Sequence, residues 1–146
     1  MIKRELHKDF EFCLRPYDSK LVGEFKTLRS FVFKIYPDSN ELLYHTHALT
    51  AVFSTSLKLS DAFCMIPIYT NHFNLGFNKG TLLKDTEGIL QGTGKLIRHV
   101  PIVKTSDYNN KEVIRFLKEA IQLSIDDMKP GDLVKRKTIS KIKPNS

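Results

Sequence analysis

Two short apolar runs, residues 62–69 and 72–78, stand two residues apart, and no other feature restricts the fold of this chain as much. A gap of two suits a tight antiparallel hairpin, with Thr70 and Asn71 at the turn and Asn71 able to tolerate a positive φ. The register follows. With Tyr69 opposite His72, Ile68 faces Phe73, Ile66 faces Leu75 and Cys64 faces Phe77, so six apolar side chains share one face, which is expected to be core. The other face carries Phe63, Met65, Pro67 and Tyr69 beside His72, Asn74, Gly76 and Asn78. It is too apolar for simple solvation and too polar for deep burial, which points to a groove, a second packed layer or a dimer contact. Pro67 cannot donate to a ladder, so an edge strand or a bulge is expected there.

The flanking segments supply partners for that hairpin. Residues 1–17 read as a short helical extension with Leu6, Phe10 and Cys13 or Leu14 on one side, interrupted by Pro16. From Asp18, an N-cap residue type, Leu21, Phe25, Leu28, Val32 and Ile35 recur at steps of four and three, one face of a helix. Lys20, Lys26, Arg29 and Lys34 fall mostly off that stripe, and Pro37 ends the helix. Residues 41–54 read as extended, with Leu49, Ala51 and Phe53 facing one way and Thr50, Val52 and Ser54 the other. After a loop over 79–95, residues 96–103 read as a strand with Val100 and Ile102 inward and His99 outward. Arg98 shares the inward parity and is therefore expected at the strand's end. Asn109 with Glu112 resembles a capping box, and Val113, Phe116, Leu117, Ala120, Ile121 and Ser124 form the buried stripe of a last helix, stopped by Pro130 and Gly131. The expected fold class is α+β: one compact domain over 18–128, an antiparallel sheet with flanking helices. Residues 129–146 are expected to be a basic flexible tail.

Charge narrows the function classes. The net charge is +7, but the segment from Lys129 onward contributes +5 of it, leaving +2 for residues 1–128. A dedicated nucleic-acid binder would carry its basic patch on the domain itself, so only nonspecific contact through the tail is expected. The charged start of the chain lacks the apolar middle of a secretory signal and no apolar run approaches a membrane span, which gives a cytoplasmic expectation without membrane contact. Two cysteines, Cys13 and Cys64, are expected as reduced thiols rather than a disulfide.

Several motifs invite chemistry. The run Gly88–Lys95, GILQGTGK, is rich in glycine, yet a Walker loop would need glycine at Ile89 and Ser or Thr at Leu96, and a dinucleotide fingerprint would need glycine at Ile97. A smaller anion nest survives, built on Gly92, Thr93, Gly94 and Lys95 with Arg98 or His99 adding charge or donors. His45 and His47 have the alternate spacing of metal ligands on a strand, but no local residue supplies a third ligand. Cys64 points into the expected core and so makes a poor nucleophile. No catalytic residue, metal site or cofactor is expected.

The segment NLGFNKG, followed by a loop and GILQGTGKLIRHV, resembles the signature of the YdhG-like family of small bacterial domains of unknown function. ELLY at Glu41–Tyr44 and SDAF at Ser60–Phe63 are similar to the same pattern, and the likeness spans roughly residues 18–128. The resemblance implies a frataxin-like α+β domain with no assigned activity in most members, and an iron-chaperone role in one branch. Such iron binding needs a carboxylate-rich ridge, whereas residues 18–36 carry Asp18 and Glu24 against four basic residues. The leading expectation is a non-catalytic module that binds a small anion or a protein partner through Asn74, Asn78, Lys95, Arg98 and His99, with a homo-oligomer allowed. Frataxin-like iron binding and an enzyme using His99 as acid or base are the alternatives.

Overall fold

The computed structural model describes residues 4–143. In chain order the elements are α1 (Lys8–Leu14), α2 (Ser19–Ile35), β1 (Asn40–His45), β2 (Leu49–Ser54), β3 (Ala62–Ile68), β4 (Phe73–Phe77), β5 (Arg98–Ile102), α3 (Lys111–Asp127) and β6 (Thr138–Ser140). The fold is α+β. One six-stranded sheet has the order β5-β4-β3-β2-β1-β6; β1 to β5 are antiparallel, and β6 joins parallel to β1.

The hairpin register expected from the two-residue gap is present. Ile68 pairs with Phe73 and Met65 with Gly76, the Tyr69 N–H donates to the His72 carbonyl at 2.8 Å, and Cys64, Ile66, Ile68, Phe73, Leu75 and Phe77 are all buried. Among the described non-glycine residues only Arg136 has a positive φ, so the turn closes without Asn71 entering the left-handed region. β3 is an interior strand, which corrects the expectation of an edge at Pro67. Pro67 pairs with Thr50 of β2, and the missing donor falls between the Met65–Gly76 and Ile68–Phe73 pairings on the β4 side.

A bulge overturns the simple alternation at the start of β3. Phe53 pairs with Cys64 while Ser54 pairs with Ala62, so Phe63 is an extra residue. Phe63 therefore turns into the core, where its ring meets Tyr36 edge-on at 5.8 Å, instead of joining the outer face with Met65.

The helices read from periodicity are present with small shifts. Asp18 caps α2 by accepting from the Lys20 and Leu21 N–H groups. The cap of α3 is Asn110, one residue later than expected, and accepts from the Val113 N–H at 2.9 Å; Glu112 pairs with Arg115 instead. All six stripe residues of α3 are buried. Phe10 and Leu14 of α1, Phe25, Leu28 and Val32 of α2 and the α3 stripe join one core with Leu43, Ala51, Phe53, Cys64, Ile66, Leu75 and Val100, so the three helices cover the same side of the sheet.

Arg29 is the departure that matters most. Expected off the apolar stripe, it is 5% exposed and forms a bidentate pair with Glu41, which is fully buried: Nε donates to Oε2 at 2.6 Å and Nη2 to Oε1 at 2.9 Å. The remaining guanidinium donors reach the Arg4 and Glu5 carbonyls. Arg4 in turn donates to Ser39 O and Thr138 Oγ1 and lies over the Phe33 ring.

Residues 129–143, expected as a mobile tail, are folded onto the domain. The Val134 and Arg136 N–H groups donate to Thr55 and Asp38, the Glu41 N–H donates to Lys137 O at 2.8 Å, and β6 follows. Lys135 and Arg136 pair with Asp38, and Lys58 with Asp132, so part of the tail's charge meets local acids. The ends of both expected terminal segments, residues 1–3 and 144–146, lie outside the described residues.

Removing one partner of a buried pair strands the other charge. Arg29→Met is expected to lower stability by about 3–5 kcal/mol in chemical denaturation, and Arg29→Met with Glu41→Leu to recover most of that loss; equal destabilisation by the double variant would contradict this account.

Candidate functional site

The side of the sheet away from the helices is assembled from strand parity alone. Leu42, Val52 and Ala62 form a small separate cluster there with Tyr44, Met65 and Ile139 packed against it. Across β3, β4 and β5 the same side continues through Pro67, Asn74, Gly76, His99 and Pro101, because Gly76 pairs with His99 and Asn74 with Pro101. Asn74 and His99 are thus diagonal neighbours on this face, each half-exposed. Among the described residues no strand residue pointing this way is Lys, Arg, Asp or Glu, although 27% of the chain is charged. The hairpin tip extends it with Tyr69 stacked on His72, centroids 4.8 Å apart.

Beside the β5 edge the glycine loop is built around Arg98. Gly80 lies against the Arg98 backbone so closely that a Cβ would stand 2.5 Å from Arg98 Cβ and 2.8 Å from its N. Gly92 takes φ 132° and leaves room for the Arg98 side chain. Arg98 Nη1 then donates to Gly94 O and Ile97 O, both at 2.7 Å, while Thr81 donates through Oγ1 to Lys95 O and through N–H to Leu96 O. Four successive carbonyls therefore have donors. In a trans peptide each N–H lies opposite the preceding carbonyl, so the Lys95, Leu96 and Ile97 N–H groups point away from those donors. The loop is pinned further back by a two-way backbone bridge between Gln91 and His99 at 2.9 Å.

The residues expected to form one site are divided by this arrangement. Asn74 and His99 share the helix-free face. Gly92, Thr93, Gly94 and Lys95 are exposed on the loop. Arg98 sits at the strand's end as expected, but its Nη1 serves its own loop. Asn78 follows β4 with Oδ1 buried and without a hydrogen-bond partner among the described residues.

For the alternatives, the geometry is as follows. Among the described residues no strand places a carboxylate or thiol beside His99 on its face, and the Cys64 thiol is fully buried, which pushes its pKa well above the ordinary thiol value. Among the described residues no group of three or more His, Cys, Asp and Glu side chains is placed to hold a metal ion. His47 lies in the exposed turn after β1, separated from the strand that carries His45.

Two features escaped the sequence. Cys13 of α1 approaches His45 at the end of β1, Sγ to Nδ1 3.7 Å; burial, and then the neighbouring Asp9, raise the Cys13 pKa. An open groove of about 1290 Å³ also runs along α2, lined by Arg4, Glu5, Lys26, Phe31, Lys34 and Tyr108 among others. Neither has a sequence signal, because each joins segments distant along the chain. No described helix is long and apolar enough to cross a membrane.

Comparison of the chain with protein-family models, with curated proteins and with solved structures finds no match.

The loop geometry separates its glycines. Gly80→Ala is expected to destabilise by about 1–3 kcal/mol through forced overpacking and to speed amide exchange at Gln91 and His99, whereas Gly94→Ala, with open space around it and no positive φ, should stay within about 0.5 kcal/mol. Thermal denaturation and hydrogen exchange of the two variants check both.

Proposed function

We propose that this chain is a non-catalytic binding module, of the YdhG-like kind that its NLGFNKG and GILQGTGKLIRHV segments resemble, and that it acts through the helix-free face of its sheet. The observation that carries this reading is the absence, among the described residues, of charged strand residues from that face in a chain with a net charge of +7. Desolvating Met65, Pro67, Tyr44 and Pro101 is favourable, and Asn74 and Thr50 keep hydrogen-bonding capacity at the contact. A second copy of the chain fits it without like-charge repulsion at the contact. Five or six strands about 4.8 Å apart, each about 17 Å long, give a footprint of roughly 400–500 Å² per copy, at the small, transient end of protein interfaces. Analytical ultracentrifugation should show a weak, concentration-dependent dimer that Pro101→Glu or Met65→Glu abolishes. A monomer across the accessible concentration range would reject self-association.

A second reading, anion binding, draws on the N–H groups of Lys95, Leu96 and Ile97 beside the Lys95 ammonium. Three exposed hydrogen bonds and one solvated charge amount to about 3–5 kcal/mol, that is, millimolar affinity. Titrating inorganic phosphate should shift those three amide resonances, and Lys95→Ala should weaken binding several-fold. Unmoved resonances at tens of millimolar phosphate would remove this reading.

A further inference from the structure

The two edges of the sheet differ in what they leave open. On β5 the main chains of His99, Pro101 and Val103 turn away from β4, because alternate residues of a strand bond to the same side. His99 exchanges both of its groups with Gln91 at 2.9 Å, Pro101 has no N–H, and the Val103 N–H donates to Asp107 Oδ2 at 2.8 Å. That edge is closed to another strand. β6 is the other edge. The Glu41 N–H donates to Lys137 O at 2.8 Å and the Lys141 N–H to Leu43 O at 2.7 Å. The same alternation then turns the Ile139 main chain to β1 and those of Thr138 and Ser140 away from it. Among the described residues these outward N–H and C=O groups have no hydrogen-bond partner.

The open edge is held in shape by its side chains. Thr138 Oγ1 accepts from Arg4 Nη2 at 2.9 Å, and Ser140 Oγ donates to Asp9 Oδ2 at 2.7 Å, both on the helical side. All three strand residues are partly exposed, and Ile139 packs on the opposite side against the Leu42 and Tyr44 cluster. Little ordering therefore remains to be done when a strand arrives.

Charge selects the occupant. Lys137 and Lys141 stand just beyond the two ends of β6 with the parity of Ile139, are exposed, and make no ion pair among the described residues. A second copy pairing antiparallel through this edge would set Lys137 against Lys141 at both ends, and like charges directly opposite are destabilising. An acidic strand gains where a second copy loses. Asp9 disfavours acids on the helical side, so they belong with the lysines.

We propose that the β6 edge takes an extended acidic segment of a partner protein as a further strand, antiparallel to β6. Thr138 and Ser140 each exchange two main-chain hydrogen bonds with the residue opposite. The residue opposite Ile139 is apolar and extends the Leu42 cluster, and acids two positions to either side of it meet Lys137 and Lys141. The pattern recognised is acid, any residue, apolar, any residue, acid. This contact lies at the sheet's edge and does not depend on the face contact proposed above.

A capped Glu-Thr-Val-Thr-Glu peptide titrated into the full chain tests this by NMR. The Thr138 and Ser140 amide resonances should shift and saturate, and their exchange with solvent should slow several-fold. Lys137→Glu with Lys141→Glu should weaken binding about tenfold and transfer it to a Lys-Thr-Val-Thr-Lys peptide, whereas Lys118→Glu on α3 should leave it unchanged. N-methylation of both peptide threonines should abolish binding. Unmoved Thr138 and Ser140 resonances, or equal binding by the N-methylated peptide, would overturn the proposal. Shifts of these resonances with protein concentration alone would make a second copy the occupant and overturn it as well.

Discussion

A buried guanidinium–carboxylate contact stands where the first and last described segments of this domain meet its centre. Arg29 projects from the middle of α2 to Glu41 on β1, and the bidentate geometry satisfies both charges where no water reaches Glu41. The same guanidinium collects the Arg4 and Glu5 carbonyls, and Thr138 Oγ1 adds a longer contact to Glu41. The segment before α1, the helix α2, the strand β1 and the late strand β6 therefore converge on one ion pair. Such a pair adds little net stability over an apolar substitute but penalises any packing that separates its members. Bonded to Glu41, Arg29 ties the middle of α2 to β1, beside the strand β6.

The two sides of the sheet differ. Helices occupy one side, drawn there by Phe25, Leu28, Val32, Phe116 and Leu117, while the other side keeps a small cluster of its own around Leu42 and Val52. The Phe63 bulge reinforces the difference by moving a large ring from the open side to the core, against Tyr36. At the far edge, Arg98 plays a local counterpart of Arg29. Instead of meeting a carboxylate it gathers the carbonyls of its own loop, which fixes the glycine segment and turns three amides the other way.

Much of the fold was legible in the order of residues. The two-residue gap between residues 62–69 and 72–78 set the hairpin register, and the spacing of Val113 to Ser124 set the buried face of α3, because strands and helices repeat with fixed periods. The candidate site was legible only in pieces. Asn74 and His99 do share a face, as parity required, but Arg98 is engaged within its loop and Asn78 is separate. Charge misled in two places. Arg29 looked like a solvated residue, and residues 129–143 looked like a solvated tail, since composition carries no information on whether an acid waits across the fold.

The sequence by itself determined the periodic elements, the hairpin register and the α+β class, all of which depend on neighbours within a few positions. Only the tertiary structure decided that Arg29 finds Glu41, that Lys135 and Arg136 find Asp38, that β6 runs parallel beside β1, and that Cys13 stands beside His45. The physical reason is common to the four. Each joins residues separated by at least a dozen positions, and such contacts form because the packing of the whole core brings their elements together, not because any local pattern calls for them.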